Sequence, residues 1–260
     1  MSTPTIVRVW ESEFAVYRKV WHSHVLLAFV QPLLYLVGMG LGVGALIDVN
    51  TDSAASLGGL TYFEFLAPAL LATTAMISAG QASLWQVLDG FFWGNRYRAM
   101  AATPLTPNDV ASGLTRWHAT RTLIGVAGVA AVLVLFDDTR SWGLLVAVPA
   151  AVLTGLAFAL PITAWSSTRY GGGSFPTIIR FGLLPMFLFG GAFFPITELP
   201  GWLQPVAYVT PLWHGIELCR GAVVDSVSAG NVAVHVAVLG AYIFTGWAAC
   251  RITFARRLAP

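Results

Sequence analysis

Residues 190–221 decide the fold, and they read GGAFFPITELPGWLQPVAYVTPLWHGIELCRG. This stretch is apolar and aromatic enough to lie at membrane depth, yet Pro195, Pro200, Pro205 and Pro211 recur along it. Because proline lacks a backbone donor and breaks a helix interior, no single membrane-spanning helix can run through these residues. Irregular backbone at membrane depth is stable only where protein or water satisfies its polar groups. We therefore predict two short helices that enter the membrane from one side and turn back.

The whole chain has the composition of a polytopic membrane protein. Of its 260 residues, 57% are hydrophobic and 10% are charged, and the mean hydropathy is +0.72. Soluble domains carry about 25% charged residues, so the composition excludes a soluble fold. The first apolar run starts late and is too long for the apolar region of a signal peptide, so we expect no cleavable signal peptide.

Six apolar segments are long enough to cross a bilayer. They are residues 25–47, 62–84, 110–136, 142–165, 176–194 and 231–250. Ahead of them, residues 1–24 place apolar side chains at helical spacing among charges, which indicates an amphipathic helix on the membrane surface. A soluble amphipathic helix is the alternative. In the first span, Gly38 and Gly42 form one of two overlapping GxxxG patterns, which are typical of close helix packing, with a ligand contact as the other interpretation.

Charge is distributed unequally between the two sides of the membrane. With six spans both termini lie on one side, together with the regions 85–121 and 166–180. That side holds 12 of the 14 basic residues and only four of the 12 acidic ones. Because cytoplasmic loops carry the excess of Lys and Arg, both termini are predicted to be cytoplasmic. Residues 195–222 then lie outside, and Cys219 and Cys250 lie at opposite ends of the membrane, which argues against a disulfide.

Groups that drive ion-coupled transport or catalysis are not found in the spans. Each acidic residue lies at a span end or in a loop, whereas ion-driven transporters place Asp, Glu or His in mid-span. His118 and His235 lie near span ends, where a packed histidine is the commoner interpretation. The glycine triplet 171–173 lacks the Lys and Ser/Thr of a phosphate loop, and no Gly-x-Ser-x-Gly or HExxH motif occurs. We therefore predict no catalytic, cofactor or metal site on this chain.

The predicted cytoplasmic loop 89–107 is the first candidate functional segment. It is rich in aromatic residues, Met and Arg, which are enriched in protein–protein interfaces. The candidate contact residues are Phe92, Arg96, Tyr97, Arg98, Met100 and Pro104. A short helix over 94–103, ended by Pro104, would present Tyr97 and Arg98 to a cytosolic partner. From residue types alone, an interfacial anchor whose arginines touch lipid phosphates is an equal alternative.

The proline-punctuated stretch is the second candidate segment. Its candidate residues are Phe193, Phe194, Pro195, Leu199, Pro200, Trp202, Pro211, Trp213, Glu217 and Arg220. The aromatic side chains could form an amphipathic lip for a substrate, or they could simply anchor the segment at the interface. Glu217 and Arg220 are three residues apart on a helix, close enough to pair, which favours a structural role over a substrate contact.

Several motifs resemble those of the type-2 ABC exporter permeases. The motifs are Gly191-Ala-Phe-Phe-Pro195, Leu199-Pro200, Glu217-Leu-Cys-Arg-Gly221, Gln31-Pro-Leu-Leu-Tyr35, Phe65-Leu-Ala-Pro68 and Arg98-Ala-Met-Ala-Ala-Thr-Pro-Leu105. The resemblance covers essentially all six predicted spans, and the order and spacing of the motifs together are specific. Within that superfamily the chain is most similar to the branch that includes the nodulation-factor (lipo-oligosaccharide) and daunorubicin-type drug exporter permeases.

The resemblance implies an all-α polytopic membrane protein, a single domain over 1–260 with a re-entrant helical hairpin between spans five and six. Such a permease lies in the cell membrane, pairs with an identical or paralogous permease, and binds cytosolic ATPase subunits through its N-terminal helix and the coupling helix at 94–103. ATP and Mg would bind the ATPase, so this chain would be a non-catalytic subunit without a cofactor. It would export a lipid-linked, glycolipid or amphipathic drug-like substrate, with residues 195–222 as an extracellular gate, and no nucleic-acid partner is implied.

Two other functions stay open at this point. A stand-alone secondary transporter or channel needs a buried titratable group or an internal repeat, and we find neither in the sequence. A membrane enzyme or assembly factor for lipid-linked sugars needs polar groups that converge at one leaflet. The acidic residues predicted on the outer side are available for this but follow no pattern.

Overall fold

The computed structural model describes residues 5–49, 57–224 and 229–259, and these residues form helices, turns and loops without a strand. The helices are α1 (Thr5–Tyr35), α2 (Gly44–Ile47), α3 (Tyr62–Leu88), α4 (Arg96–Ala101), α5 (Pro107–Leu133), α6 (Leu144–Ser166), α7 (Phe175–Ile178), α8 (Leu184–Phe189), α9 (Gln204–Val209), α10 (Pro211–Val224) and α11 (Ala229–Leu258). Three π-helical segments extend or join them, at Leu36–Val43, Asp89–Trp93 and Ile179–Leu183. The predicted all-α class is therefore confirmed.

The N-terminal segment and the first predicted span form one continuous element. Helix α1 runs from Thr5 to Tyr35, and a π-helical segment carries it into α2, so the structure has no helix boundary at residue 24. Neither proline nor glycine occurs between Thr5 and Gln31, so nothing in the local sequence stops the helix there. The helix changes form only after Pro32, whose ring removes a backbone hydrogen bond.

Among the residues that the structure describes, four helices are long and apolar enough to cross a membrane. They are Val30–Ile47, Tyr62–Trp93, Leu144–Ser166 and Gly230–Leu258. These four overlap the first, second, fourth and sixth predicted spans. The third predicted span corresponds to α5, which is 27 residues long but carries Arg116 and Arg121, and the fifth corresponds to the shorter apolar stretch Phe175–Phe189.

Helix α3 occupies the centre of the bundle and packs against α5, α6 and α10. A capping box fixes its start, since the Glu64 carboxylate accepts from the Thr61 amide at 2.9 Å and the Thr61 hydroxyl accepts from the Glu64 amide at 3.2 Å. Asp48 Oδ1 accepts a 2.8 Å hydrogen bond from the Tyr62 amide, which ties the end of the first helical element to the start of α3.

The glycines that pack the first span are not the predicted pair. A Cβ added at Gly38 would meet no atom within 4 Å, and one at Gly42 would meet only Val37 O of its own helix. A Cβ at Gly40 would lie 2.9 Å from the Phe63 ring, and one at Gly44 would lie 3.5 Å from Tyr62. Within this chain, Gly40 and Gly44, the second GxxxG pattern, therefore let the first span pack closely on α3. Gly38 and Gly42 face away from α3.

Helix α10 lies inside the bundle, against α3, α6 and α11. Its second turn has no room for a side chain at Gly215, where a Cβ would lie 2.0 Å from the Thr154 hydroxyl of α6. Cys219, one turn further on, is buried and donates to Ala147 O at 3.5 Å. These contacts hold the second half of the proline-punctuated stretch against the helices that surround it.

Candidate functional site

The segment after α3 reverses the chain direction within a few residues. Helix α3 is extended by the π-helical segment Asp89–Trp93, and Asn95 then adopts a left-handed conformation with φ 48°. Asn tolerates this conformation better than most residues because its short side chain bonds locally. Helix α4 follows over Arg96–Ala101 and ends before Pro104, so the predicted short helix is present but covers six residues rather than 94–103.

Tyr97 is buried and does not face a partner as we predicted. Its ring packs edge-on to Phe91 with centroids 4.9 Å apart and lies 5.8 Å from the Phe254 ring of α11. A Cβ added at Gly90 would lie 2.2 Å from the Tyr97 ring, so only glycine leaves room for it. The left-handed turn at Asn95 orients α4 with Tyr97 inward, and the residue therefore anchors α4 to the bundle.

The outward surface of this segment is formed by Phe92, Trp93, Arg98 and Pro104, which we call the coupling face. Phe92 is 57% exposed and Trp93 is 63% exposed, and their rings lie 6.5 Å apart. Arg98 and Pro104 are also exposed, whereas Met100 is partly buried against the apolar cluster beneath α4. Trp93 was not among the predicted contact residues, although its place beside Phe92 in an aromatic run could have indicated it.

Arg96 faces the bundle and belongs to a chain of polar side chains that we call the polar network. Its guanidinium lies 3.0 Å from Asp89 Oδ2 and 3.5 Å from Glu13 Oε2 of α1. Gln86 of α3 donates to the same Glu13 oxygen at 2.5 Å, and Arg121 of α5 donates to Gln86 Oε1 at 3.2 Å. The network thus connects α1, α3, α4 and α5 at one end of the bundle.

Burial shifts the pKa values of Glu13 and Tyr97 at this end. The pKa of Glu13 is raised by burial, and the positive charge of Arg96 and the hydrogen bond from Gln86 lower it in part. The pKa of Tyr97 is raised well above 10.0, chiefly by burial and then by the nearby Glu13 carboxylate.

The first half of α1 is docked on α5. Trp10 Nε1 donates to the Thr120 hydroxyl at 2.9 Å, and the Trp10 ring stacks on Phe14 at 5.2 Å. Phe14 and Tyr17 in turn present their edges to Trp117 at 6.3 and 5.4 Å. The apolar face that we assigned to a membrane surface is therefore covered in part by α5.

At the other end of the bundle, the proline-punctuated stretch contains the two short helices that the prolines predict, α9 and α10, separated at Thr210. Gly191 adopts φ 87° where the chain leaves α8, a conformation that favours glycine. The Gln204 amide donates to Thr197 O at 3.2 Å and to Leu199 O at 2.9 Å, which closes the intervening loop. Two carbonyl groups of the irregular backbone thus accept hydrogen bonds from a side chain of the same stretch.

Arg220 ties α10 to its neighbours. Its guanidinium donates to Glu217 Oε1 at 2.8 Å, to Gly191 O at 2.9 Å and to Phe65 O at 3.2 Å. It also lies 3.6 Å from the centroid of the Phe65 ring. The predicted Glu217–Arg220 pair is confirmed, and its contacts with two backbone carbonyls give it a structural role. A cavity of about 450 Å³ opens beside the pair, with Tyr208 and Trp213 in its wall.

The other candidate residues of this stretch differ in exposure. Pro200 and Trp202 are exposed, Phe193, Phe194, Pro195 and Trp213 are half-buried, and Leu199 and Pro211 are buried. Phe193 packs on Phe187 at 5.0 Å and on Tyr35 at 6.1 Å. Most of the predicted lip therefore packs within the protein, and Trp202 is the aromatic candidate with the most open surface, at 76%.

The sequence model of the ABC-2 type transporter family matches residues 5–224, which is most of the chain. The protein belongs to the ABC-2 type transporter family. The resemblance that the motifs indicated is thereby confirmed. The matched region includes the coupling face, the polar network and the proline-punctuated stretch, whereas α11 lies beyond it.

Curated relatives of this ABC-2 chain match it over nearly its whole length. Nodulation protein J of Rhizobium leguminosarum bv. viciae is 29% identical over 253 residues, covering 96% of this chain and 93% of the relative. Nodulation protein J of Rhizobium meliloti (strain 1021) is 28% identical over 257 residues, covering 98% and 94%. That of Sinorhizobium fredii (strain NBRC 101917 / NGR234) is 31% identical over 235 residues, covering 90% and 86%.

Three histidines, His118, His214 and His235, and the two cysteines of this ABC-2 chain are engaged in packing. His118 Nε2 lies 3.0 Å from the Thr163 hydroxyl in the buried interface of α5 and α6, as a packed histidine should. His214 and His235 join α10 to α11 through their Nδ1 atoms at 2.8 Å. Cys219 and Cys250 are both buried and unpaired by disulfide. Within the described ranges, no three His, Cys, Asp or Glu residues are grouped to hold a metal ion.

Proposed function

We propose that the chain is the transmembrane permease subunit of an ATP-driven exporter and that separate cytosolic ATPase subunits supply the energy. The coupling face is the observation that carries this proposal, because it exposes two aromatic rings, an arginine and a proline beside a helix anchored in the bundle. Aromatic residues and arginine are enriched in protein interfaces. Membership of the ABC-2 type transporter family supports a non-catalytic transport subunit over a stand-alone channel or a membrane enzyme.

The proposed orientation has six spans with both termini in the cytoplasm of the cell. Val9 of α1, Phe91 and Tyr97 beside the coupling face, and Phe254 of α11 share one apolar cluster, which supports a common side for both ends of the chain. Arg257 of α11 strengthens this grouping, since it donates to Ser167 O and lies 4.2 Å from the Phe91 ring centroid. The excess of basic residues on that side supports a cytoplasmic location.

The proposed cargo is a lipid-linked, glycolipid or amphipathic drug-like molecule that leaves the cytoplasm or the inner leaflet. This part of the proposal comes from the resemblance to exporter permeases and from nodulation protein J relatives that match over 90% or more of this chain. The permease would pair with a second copy or a paralogue in the cell membrane. The proline-punctuated stretch would then act as an external gate, with α9 and α10 forming a re-entrant hairpin.

A co-purification experiment tests the proposal at the coupling face. The chain and the candidate ATPase are purified together in phosphatidylcholine nanodiscs, as wild type and as a Trp93→Ala/Arg98→Glu variant. We expect the variant to lose at least about tenfold in ATPase affinity, since truncating an interface tryptophan is among the costlier interface changes. Trp142→Ala is the matched control, because Trp142 is 87% exposed but lies after α5, away from the coupling face. Equal retention of the ATPase by wild type and variant would refute the proposed interface.

A further inference from the structure

Helix α11 leaves an apolar face open to its surroundings, and a cation lies where this face ends. Among the four candidate membrane spans of the described chain, α11 has the smallest buried share. Phe244 is 66% exposed and Ile252 is 53% exposed. Residues seven or eight apart lie on the same side of a helix, so Arg251 shares this face with both. The face that meets lipid tails therefore carries a positive charge at the C-terminal end of the predicted span.

Two neutral side chains hold the Arg251 guanidinium in place. Its Nε atom donates to Asn108 Oδ1 of α5 at 3.1 Å. The guanidinium also lies 4.8 Å from the centroid of the Trp247 ring, which in turn lies 6.2 Å from the Phe244 ring. Because the side chain is already ordered by these contacts, a ligand that binds it loses less conformational entropy than it would with a freely moving arginine.

The charge of Arg251 is not balanced by a carboxylate among the described residues. Other arginines, such as Arg220, pair with an acidic side chain, whereas no ion pair is found for Arg251 in the same ranges. Asp109 follows Asn108 in the chain, but its carboxylate accepts from the amide and the hydroxyl of Thr106 at 2.9 and 2.7 Å. The two Nη atoms of Arg251 thus keep their N–H donors for a ligand.

The chemistry of this site fits the headgroup phosphate of a lipid. A guanidinium presents its donors as a planar fork that matches a pair of phosphate oxygens. Tryptophan is enriched where a span meets the aqueous phase, and the exposed Phe244 and Ile252 suit contact with acyl chains. Because no described acidic side chain pairs with Arg251, nothing at the site offsets its attraction for a headgroup with a net negative charge.

We propose that Arg251, Trp247 and Asn108 form a binding site for the phosphodiester of an anionic phospholipid, whose acyl chains lie along the open face of α11. From Phe244 to Arg251 the helix rises about 10 Å, at 1.5 Å per residue, which places the upper part of an acyl chain beside the Phe244 ring. The site goes beyond the proposed function and does not require an ATPase. Only its assignment to the cytoplasmic leaflet uses the proposed orientation.

Photolabelling with a phospholipid tests the site. The full chain is placed in phosphatidylcholine nanodiscs with a trace of phosphatidylglycerol that carries a photoreactive group at the top of one acyl chain, and labelled residues are identified by mass spectrometry. We expect labelling between residues 244 and 252. Unlabelled phosphatidylglycerol should displace it about fivefold more effectively than zwitterionic phosphatidylethanolamine, a factor that corresponds to about 1 kcal/mol for a basic residue near an anionic surface. Inorganic phosphate, which has no acyl chain, should not displace it.

The variant Arg251→Gln removes the charge and keeps a side chain that can bond to Asn108. It should weaken displaceable labelling about fivefold. Arg256→Gln is the matched control, because it makes the same change on the same helix at an exposed residue for which the described part of the chain shows no aromatic contact or hydrogen bond. It should weaken labelling less than twofold. Similar unfolding temperatures for both variants and the wild type would show that the difference does not come from misfolding.

Four results would overturn the assignment. These are unchanged labelling of Arg251→Gln, equal weakening by Arg256→Gln, equal displacement by the two unlabelled phospholipids, and displacement by inorganic phosphate. The ATPase co-purification described above is independent of this labelling. If the ATPase binds as expected while residues 244–252 stay unlabelled, the inference alone is rejected. If labelling is as expected while the coupling-face variant retains the ATPase like the wild type, the proposed interface alone is rejected.

Discussion

Gln86 donates a 2.5 Å hydrogen bond to Glu13, and this one contact joins the centre of the bundle to its N-terminal helix. The same Glu13 oxygen lies 3.5 Å from the Arg96 guanidinium of α4. A single buried carboxylate therefore connects α1, which packs on α5, with α3 and with the helix beside the coupling face. Because α4 has only six residues, its position depends on such side-chain contacts rather than on its own backbone hydrogen bonds.

Replacing Glu13 by alanine should destabilise the protein strongly. The Glu13→Ala change leaves the Gln86 amide without its acceptor and the Arg96 guanidinium with Asp89 as its remaining ion-pair partner. Breaking a buried ion pair costs about 3 kcal/mol or more. We expect a lower thermal unfolding temperature in nanodiscs at neutral pH and weaker ATPase binding. Glu11→Ala is the control, because Glu11 lies on the exposed face of the same helix and should change little. Equal unfolding temperatures for the two variants would show that the network carries no stability.

The stability contributed by Glu13 should depend on pH in a defined direction. Burial raises the folded-state pKa of Glu13 above its ordinary value of 4.5, so the folded protein binds this proton more tightly than the unfolded chain does. The stabilising contribution of the protonated group is complete below pH 4.5 and is lost as pH rises through the raised pKa. The unfolding temperature of wild type minus that of Glu13→Gln should therefore fall as pH rises from 4.5 and then level off. A difference that grows with pH would contradict the sign of this shift.

Local patterns predicted those features that depend on neighbouring residues. The breaks at the prolines, the two short helices α9 and α10, and the Glu217–Arg220 pair all follow from spacings of a few residues, and the structure contains them. The accessible polar residues Thr74, Ser78 and Gln81 of α3 have the same local character. Their helical spacing is visible in the sequence, but only the packing of the other faces of α3 distinguishes them from the buried Thr73 and Ser83.

Features that depend on distant contacts could not be predicted in this way. Tyr97 is buried because Phe254, far away in the sequence, packs against it, whereas its position in a polar loop indicated exposure. For the same reason, the sequence could not show whether the GxxxG pattern of Gly38 or that of Gly40 makes the helix contact. Both repeat every four residues, and only the position of Phe63 on α3 decides which glycine makes the contact.

Because Tyr97 packs against Gly90, we expect two glycine-to-alanine substitutions to have opposite effects on thermal stability. Gly90→Ala would place a methyl group 2.2 Å from the Tyr97 ring, and overpacking of this kind costs about 1–3 kcal/mol. Gly240→Ala is the control, because a Cβ there meets no atom within 4 Å and alanine stabilises a helix interior by up to about 1 kcal/mol. Thermal unfolding should rank the proteins Gly240→Ala, wild type, Gly90→Ala, from most to least stable. Gly90→Ala should also weaken ATPase binding, since it displaces the residue that anchors α4.

Arg220 gives the sharpest test of how the proline-punctuated stretch is held. Arg220→Met keeps the length of the side chain but leaves Glu217 and the carbonyls of Gly191 and Phe65 without their donor, which should cost about 3–5 kcal/mol.

Arg220→Lys should recover only part of that stability. An ammonium is a compact point charge that cannot reproduce the planar fork of the guanidinium across three acceptors and the Phe65 ring. Arg140→Met is the matched control, because Arg140 pairs with Asp137 at 3.1 Å on an exposed surface where such pairs contribute little. If Arg220→Met unfolds at the same temperature as Arg140→Met, then α10 is held by its buried apolar and glycine contacts alone. If the unfolding temperature instead falls from wild type to Arg220→Lys and again to Arg220→Met, then the guanidinium holds α10 in place.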